Sequence, residues 1–256
     1  MFDIDSTIII LLVVFGFIAA FVDSVVGGGG LITLPALLFT GLPPATAIAT
    51  NKLASSIGSF TSSVVFFRSG KLDKRLVAKL FPVTFVFAML GAYSVHLVNP
   101  DLLKPFMLIM LAVVAVYTIF KKDWGQIEAM TKVSRTKLLL FVALIGLIGF
   151  YDGFLGPGTG SFLMFTFLWF GADFLKAAGN AKVLNFASNF AALLMFIYLG
   201  EVIFSYGLIM GVAQIFGSIA GSRFALKRGS GYVRILFIVM TLLLLAKHSY
   251  DYFQSL

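Results

Sequence analysis

The chain has 256 residues, of which 60% are hydrophobic and only 12% charged, against about 25% charged in soluble domains. Its mean hydropathy is +1.03, and uncharged runs at 24–51, 105–120, 183–200 and 202–222 are near or above the length that crosses a bilayer core as helix; water is excluded as the main solvent. The net charge of +8 does not signal nucleic acid, because the basic residues cluster between apolar segments, and zero Cys excludes a disulfide framework, a thiol nucleophile and a thiolate metal site.

The predicted elements are all helical. The first, 8–26, follows Asp3 and Asp5 where a signal peptide would have a positive n-region, and no small-residue cleavage site comes after it, so it is expected to be a retained segment. Near its end stands Asp23, and then the glycine run Gly27, Gly28, Gly29 and Gly30. The next segment, 31–40, has ten residues and rises only about 15 Å, roughly half a hydrocarbon core, so a half-helix is predicted. Segments at 45–67, 76–98 and 103–120 complete the set.

A second set follows at 137–155, 161–170, 174–199, 203–226 and 233–250, and it duplicates the first. Asp23 matches Asp152; after one residue inserted in the Gly-rich loop the offset settles at 130, pairing Gly30 with Gly160, Gly41 with Gly171, Lys52 with Lys182, Gly70 with Gly200 and Gly91 with Gly221. A register of Asp, Lys and Gly held this long is not a chance match of apolar residues. Equivalent loops differ in charge: Arg68, Lys71, Lys74, Arg75 and Lys79 follow the third segment, where the second half has only Glu201. The next pair reverses, with Arg223, Lys227, Arg228 and Arg234 in the second half against one Asp and one Lys. By the positive-inside rule, equivalent loops then lie on opposite sides of the membrane. The expected organisation is a first inverted repeat at 1–121, a cytoplasmic connector at 122–136 and a second inverted repeat at 137–256, with both termini outside.

Irregular backbone at membrane depth is tolerated only within protein or along a cavity. Gly28, Gly29 and Gly30 in one half and Gly158, Thr159 and Gly160 in the other each open a short helix, whose N-terminal amides and positive dipole end suit an anion. The competing explanation is a hinge for close helix packing. Lys52 and Lys182 fall about 10 Å into the bilayer by helical rise, an expensive place for an ammonium. Beside them stand Asn51 and Asn180, and helical spacing adds Ser55, Ser56 and Ser59 to one polar stripe and Asn185 and Asn189 to the other. These stripes are expected to line an interior cavity that binds a small anion; the plainer alternative is interhelical hydrogen bonding. Asp23 and Asp152 are the carboxylates inside apolar segments, read either as coupling sites for a proton or Na⁺ or as fixed counter-charges for the lysines. Gln214 is a further possible lining residue, and the GxxxG spacings of Gly207, Gly211, Gly217 and Gly221 predict close helix contact. His96 and His248 lie far apart, and nucleophile-elbow, HExxH and P-loop patterns are missing, so no metal, cofactor or catalytic residue is expected.

At these residues the sequence resembles the sulfite exporter TauE/SafE family of membrane permeases, and within it the YfcA-like bacterial inner-membrane proteins. The resemblance rests on FVDSVVGGGGLITLPAL (21–37), ATNKLASSIGS (49–59), GFYDGFLGPGTGSF (149–162) and NAKVLNFASN (180–189), and covers nearly the whole chain. It implies transport of a sulfur-containing anion such as sulfite or a small organosulfonate across the inner membrane, driven by an ion gradient. It carries the motif positions Asp23, Gly27 to Gly30, Asn51, Lys52, Asp152, Gly156, Gly158, Asn180 and Lys182 onto the pathway. A passive anion channel and a membrane scaffold are the rivals, and the protein works either alone or as a homodimer.

Overall fold

The computed structural model describes residues 5–99 and 135–228, which form eight helices. They are α1 (Ser6–Val26), α2 (Gly30–Phe39), α3 (Pro44–Arg68), α4 (Lys74–His96), α5 (Arg135–Phe154), α6 (Thr159–Trp169), α7 (Phe174–Tyr198) and α8 (Phe204–Arg228). Eight of the ten expected segments are therefore present within a few residues of their expected bounds. Those at 103–120 and 233–250, and most of the connector, lie outside the described residues.

Local chemistry fixes the boundaries. Pro44 opens α3, where the missing N–H costs nothing. Asp73 and Asp173 cap α4 and α7, their carboxylates accepting from the Leu76 and Lys176 amides at 3.0 Å. Among the described residues every positive φ belongs to a glycine, and the eight fall into four pairs in the sequence register: Gly27 with Gly156, Gly28 with Gly158, Gly41 with Gly171, and Gly70 with Gly200. The duplication thus extends to the backbone conformation of the turns.

Five of the helices are long and apolar enough to cross a membrane. α3 is as long as α7 but too polar to join them, because it carries Asn51, Lys52 and a run of serines. Polar side chains point inward, with Lys52, Asn51, Ser59, Ser62, Asp152, Lys182, Asn185, Asn189 and Gln214 all buried. Leu and Phe side chains such as Leu90, Leu139, Leu147, Leu208 and Phe216 face outward. This arrangement suits a hydrocarbon solvent.

Small residues bring the helices together. A Cβ on Gly153 would lie 1.9 Å from the Ala88 carbonyl oxygen and one on Gly91 2.0 Å from that of Phe150, which locks α4 against α5. Gly217 and Gly221 meet the carbonyls of Phe17 and Phe21 in the same manner, locking α8 against α1, while Gly207 and Gly211 pack on Leu53 and Ile57 of α3. The GxxxG expectation is met.

Three apolar clusters order the bundle along its length. Two contain α2 together with the N-terminal parts of α1, α3 and α8 and the C-terminal parts of α4 and α7. The third contains α6 with the N-terminal parts of α4, α5 and α7 and the C-terminal parts of α3 and α8. The two short helices therefore occupy opposite ends of the bundle, and each long helix of the first half runs opposite to its counterpart in the second.

Candidate functional site

The short helices meet N-terminus to N-terminus. A Cβ on Gly27 would fall 2.2 Å from the Ser161 amide nitrogen, and one on Gly30 3.3 Å from Pro157 Cα. The Ser161 hydroxyl donates to the Val26 carbonyl at 3.0 Å, tying one loop to the other. Any side chain at Gly27 would part them.

Lys52 and Lys182 each sit two turns into a long helix, level with this junction. Neither ammonium pairs with the carboxylate of its own half. Lys52 Nζ donates to Asp152 Oδ1 at 2.9 Å and also to the Asp152 backbone carbonyl; Lys182 Nζ donates to Asp23 Oδ2 at 2.7 Å. Lys52, Asp152 and Lys182 are almost fully buried, and Asp23 is 17% exposed. Removing one partner of such a pair costs about 3–5 kcal/mol by leaving an uncompensated charge. The loop glycines make room for the ammonium groups: a Cβ on Gly156 would lie 2.6 Å from Lys52 Nζ, and one on Gly160 3.2 Å from Lys182 Nζ.

The crossing recurs two positions earlier. Asn180 Oδ1 accepts from the Asp73 amide at 2.9 Å, and Thr50 Oγ1 accepts from the Ile203 amide at 3.1 Å. Thr50 and Asn180 are equivalent, as are Asp73 and Ile203, at the offset of 130. Each half thus fastens the loop before the fourth helix of the other.

Between the loops lies a polar cavity of about 20 Å³, on the scale of one water. Its walls take Asp23 at the end of α1 with Gly28, Gly29 and Gly30 after it, and Asp152 at the end of α5 with Gly156, Gly158, Thr159 and Gly160 after it. Asn51, Lys52 and Ser55 of α3 face Asn185 and Asn189 of α7, with Gln214 of α8. Four expected residues do not line it. Lys182 is turned to Asp23, Ser56 Oγ bonds back to the Lys52 carbonyl at 2.7 Å and Ser59 Oγ to the Ser55 carbonyl at 2.5 Å, and Asn180 serves the loop as described. Thr33 and the small Ala19 and Ala20 line the cavity and were not singled out; Thr33 lies three residues past Gly30, on the face of α2 that follows the loop, so helical periodicity could have found it.

The amides of the short helices are partly committed. Gly29 N–H donates to Asp23 Oδ1 at 3.1 Å, and Thr159 N–H to the Gly156 carbonyl at 3.2 Å. Asn189 Nδ2 donates to both Asn185 oxygens, at 2.8 and 2.6 Å. Among the described residues one buried side-chain atom, Asp152 Oδ2, has no hydrogen-bond partner.

A helical bundle with its charges inside, its apolar side chains outside and two short helices meeting at a polar cavity has the character of a polytopic membrane protein. Comparison with known proteins gives the family. The family model "Sulfite exporter TauE/SafE" matches residues 12–248, and the chain belongs to this family of membrane transporters. It is 36% identical over 243 residues to "Probable membrane transporter protein ORF9" of Sinorhizobium sp, covering 94% of this chain and 92% of the relative. It is 34% identical over 251 residues to a "Probable membrane transporter protein" of Haemophilus influenzae, covering 97% of each. With "Probable membrane transporter protein YfcA" of Escherichia coli K12 it shares 36% identity over 235 residues, 91% of this chain and 87% of that one. No solved structure matches the chain.

Proposed function

We propose that the protein carries a small sulfur-containing anion, such as sulfite or a small organosulfonate, across the bacterial inner membrane by alternating access, coupled to a proton or Na⁺ gradient. The observation that carries this reading is the pair of crossed lysine–aspartate bridges beside a polar cavity at the junction of two half-helices. Two ammonium groups and two helix N-termini converge there, and the local field favours a negative solute. The family name and the sulfur-anion chemistry it carries agree with that sign.

The two halves act as inverted-topology repeats, 1–121 and 137–256. Their opposite helix directions and exchanged contacts support this reading, because the Lys52–Asp152 and Lys182–Asp23 bridges swap partners between the halves as inverted repeats would. The end of the bundle with Arg68, Lys71, Arg75, Lys176, Arg223 and Lys227 is cytoplasmic by the positive-inside rule, and α6 enters from that side. The cavity is too small for a sulfonate as it stands, so the walls separate to admit one. That separation also favours a carrier over an open channel.

Sulfite flux into proteoliposomes tests the reading. Lys52→Ala and Lys182→Ala should each abolish it while the protein still inserts; flux retained in both removes the lysines from the mechanism. Flux that persists unchanged when the proton and Na⁺ gradients are collapsed would indicate a channel.

A further inference from the structure

Asp23 and Asp152 hold equivalent places in the two halves, yet their surroundings differ. Both oxygens of Asp23 are engaged, Oδ2 by Lys182 and Oδ1 by the Gly29 amide. Asp152 gives only Oδ1 to Lys52, and its Oδ2 is buried without a partner. The second loop supplies no counterpart of the Gly29 donor, because the Thr159 amide turns instead to the Gly156 carbonyl. Asp152 also borders the cavity. An unpaired lone pair on a buried carboxylate is a place for a donor to arrive.

We propose that Asp152 is the protonation site that couples transport, that the coupling ion is a proton moving with the anion, and that Asp23 remains a fixed counter-charge. The inference rests on the transport reading above and deepens it. A proton from water adds to the Oδ2 lone pair and forms an O–H bond, and the carboxylate loses its charge. Lys52 keeps its three N–H bonds and its positive charge but no longer has an ionic partner, and the anion takes that place. When the anion leaves, the O–H proton returns to water and the bridge closes again. One proton accompanies one monovalent anion, so the cycle is electroneutral.

A proton needs only the single free lone pair that Oδ2 offers, whereas a Na⁺ ion needs several oxygen ligands at once and Oδ1 is already held by the Lys52 ammonium. The ionisable groups nearest Asp152 are Lys52 from α3, Asp23 from α1 across the cavity and its own neighbour Tyr151, whose hydroxyl donates to the Pro157 carbonyl at 2.7 Å; Lys182 from α7 lies behind Asp23, paired with it. Among the described residues α2, α4, α6 and α8 place no ionisable side chain on the cavity wall.

Infrared difference spectroscopy of the full chain in lipid vesicles, taken on acidification, tests the assignment. A protonated-carboxyl band should appear, vanish in Asp152→Asn and persist in Asp23→Asn. If either single variant fails to fold, the doubles Lys52→Met with Asp152→Asn and Lys182→Met with Asp23→Asn remove each pair whole and leave no uncompensated charge. A band that follows Asp23, or that survives loss of Asp152, overturns the assignment. Calorimetry with methanesulfonate, which stays ionised across the pH range used, in buffers of different protonation enthalpy should give one proton taken up per anion bound, indifferent to replacing Na⁺ by K⁺. Binding without proton uptake overturns the coupling. If methanesulfonate does not bind at all, the substrate reading fails, and the infrared result alone decides the protonation site.

Discussion

At the scale of single residues, the crossed bridges determine what a substitution costs. Lys52→Ala leaves Asp152 charged and buried, so it should lower stability by about 3–5 kcal/mol. Replacing both members of the pair, Lys52→Met with Asp152→Asn, should cost less than the single change, and thermal unfolding in detergent would show the order. Equal losses would mean that the bridge contributes no coupling of its own. Asp23, Lys52, Asp152, the loop glycines and the asparagine stripe were legible in the sequence because a charge or a glycine run inside an apolar segment needs a reason. The partner of each lysine was not, since helical spacing says which face a side chain takes and not which helix lies opposite. Asn180 was misleading for a related cause. It looked like the companion of Asn51, yet the register aligns it with Thr50, and both accept from a backbone amide across the repeat boundary.

At the scale of elements, glycine contacts decide how closely the helices approach. Gly153→Ala would force its methyl into the Ala88 carbonyl and Gly221→Ala into that of Phe21, so each should cost about 1–3 kcal/mol by pushing two helices apart. Gly70→Ala has open space around its Cβ but a φ of +72°, and its cost should come from backbone strain alone, about 1 kcal/mol. A melting series of the three variants that placed Gly70→Ala last would contradict this account. The helices themselves were readable from apolar runs and turn residues. Their neighbours were readable only in part: GxxxG spacing marked a contact face on α8, but that face divides, Gly207 and Gly211 meeting α3 while Gly217 and Gly221 meet α1. Sequence spacing carries no information on that division.

For the whole molecule, the proposed inverted arrangement can be tested directly by sidedness, because the sequence has no native Cys. Lys71→Cys, in the turn just past α3, and Tyr198→Cys, at the end of α7, both exposed, should react with an impermeant thiol reagent from opposite faces of the membrane. Labelling of both from one face would refute the inverted topology. A single cysteine in place of Ser55 on the cavity wall should be protected by sulfite from a negatively charged thiol reagent, and no protection would place the solute elsewhere.

The exchange of partners between the halves also bears on biosynthesis. While the ribosome has delivered only the first half, Asp23 and Lys52 have yet to receive the counterparts they hold in the finished protein, and these arrive only when residues 152 and 182 emerge. An orphan first half is therefore an incomplete product that membrane quality control can recognise and degrade, whereas the two halves translated as separate chains in one cell should rescue each other.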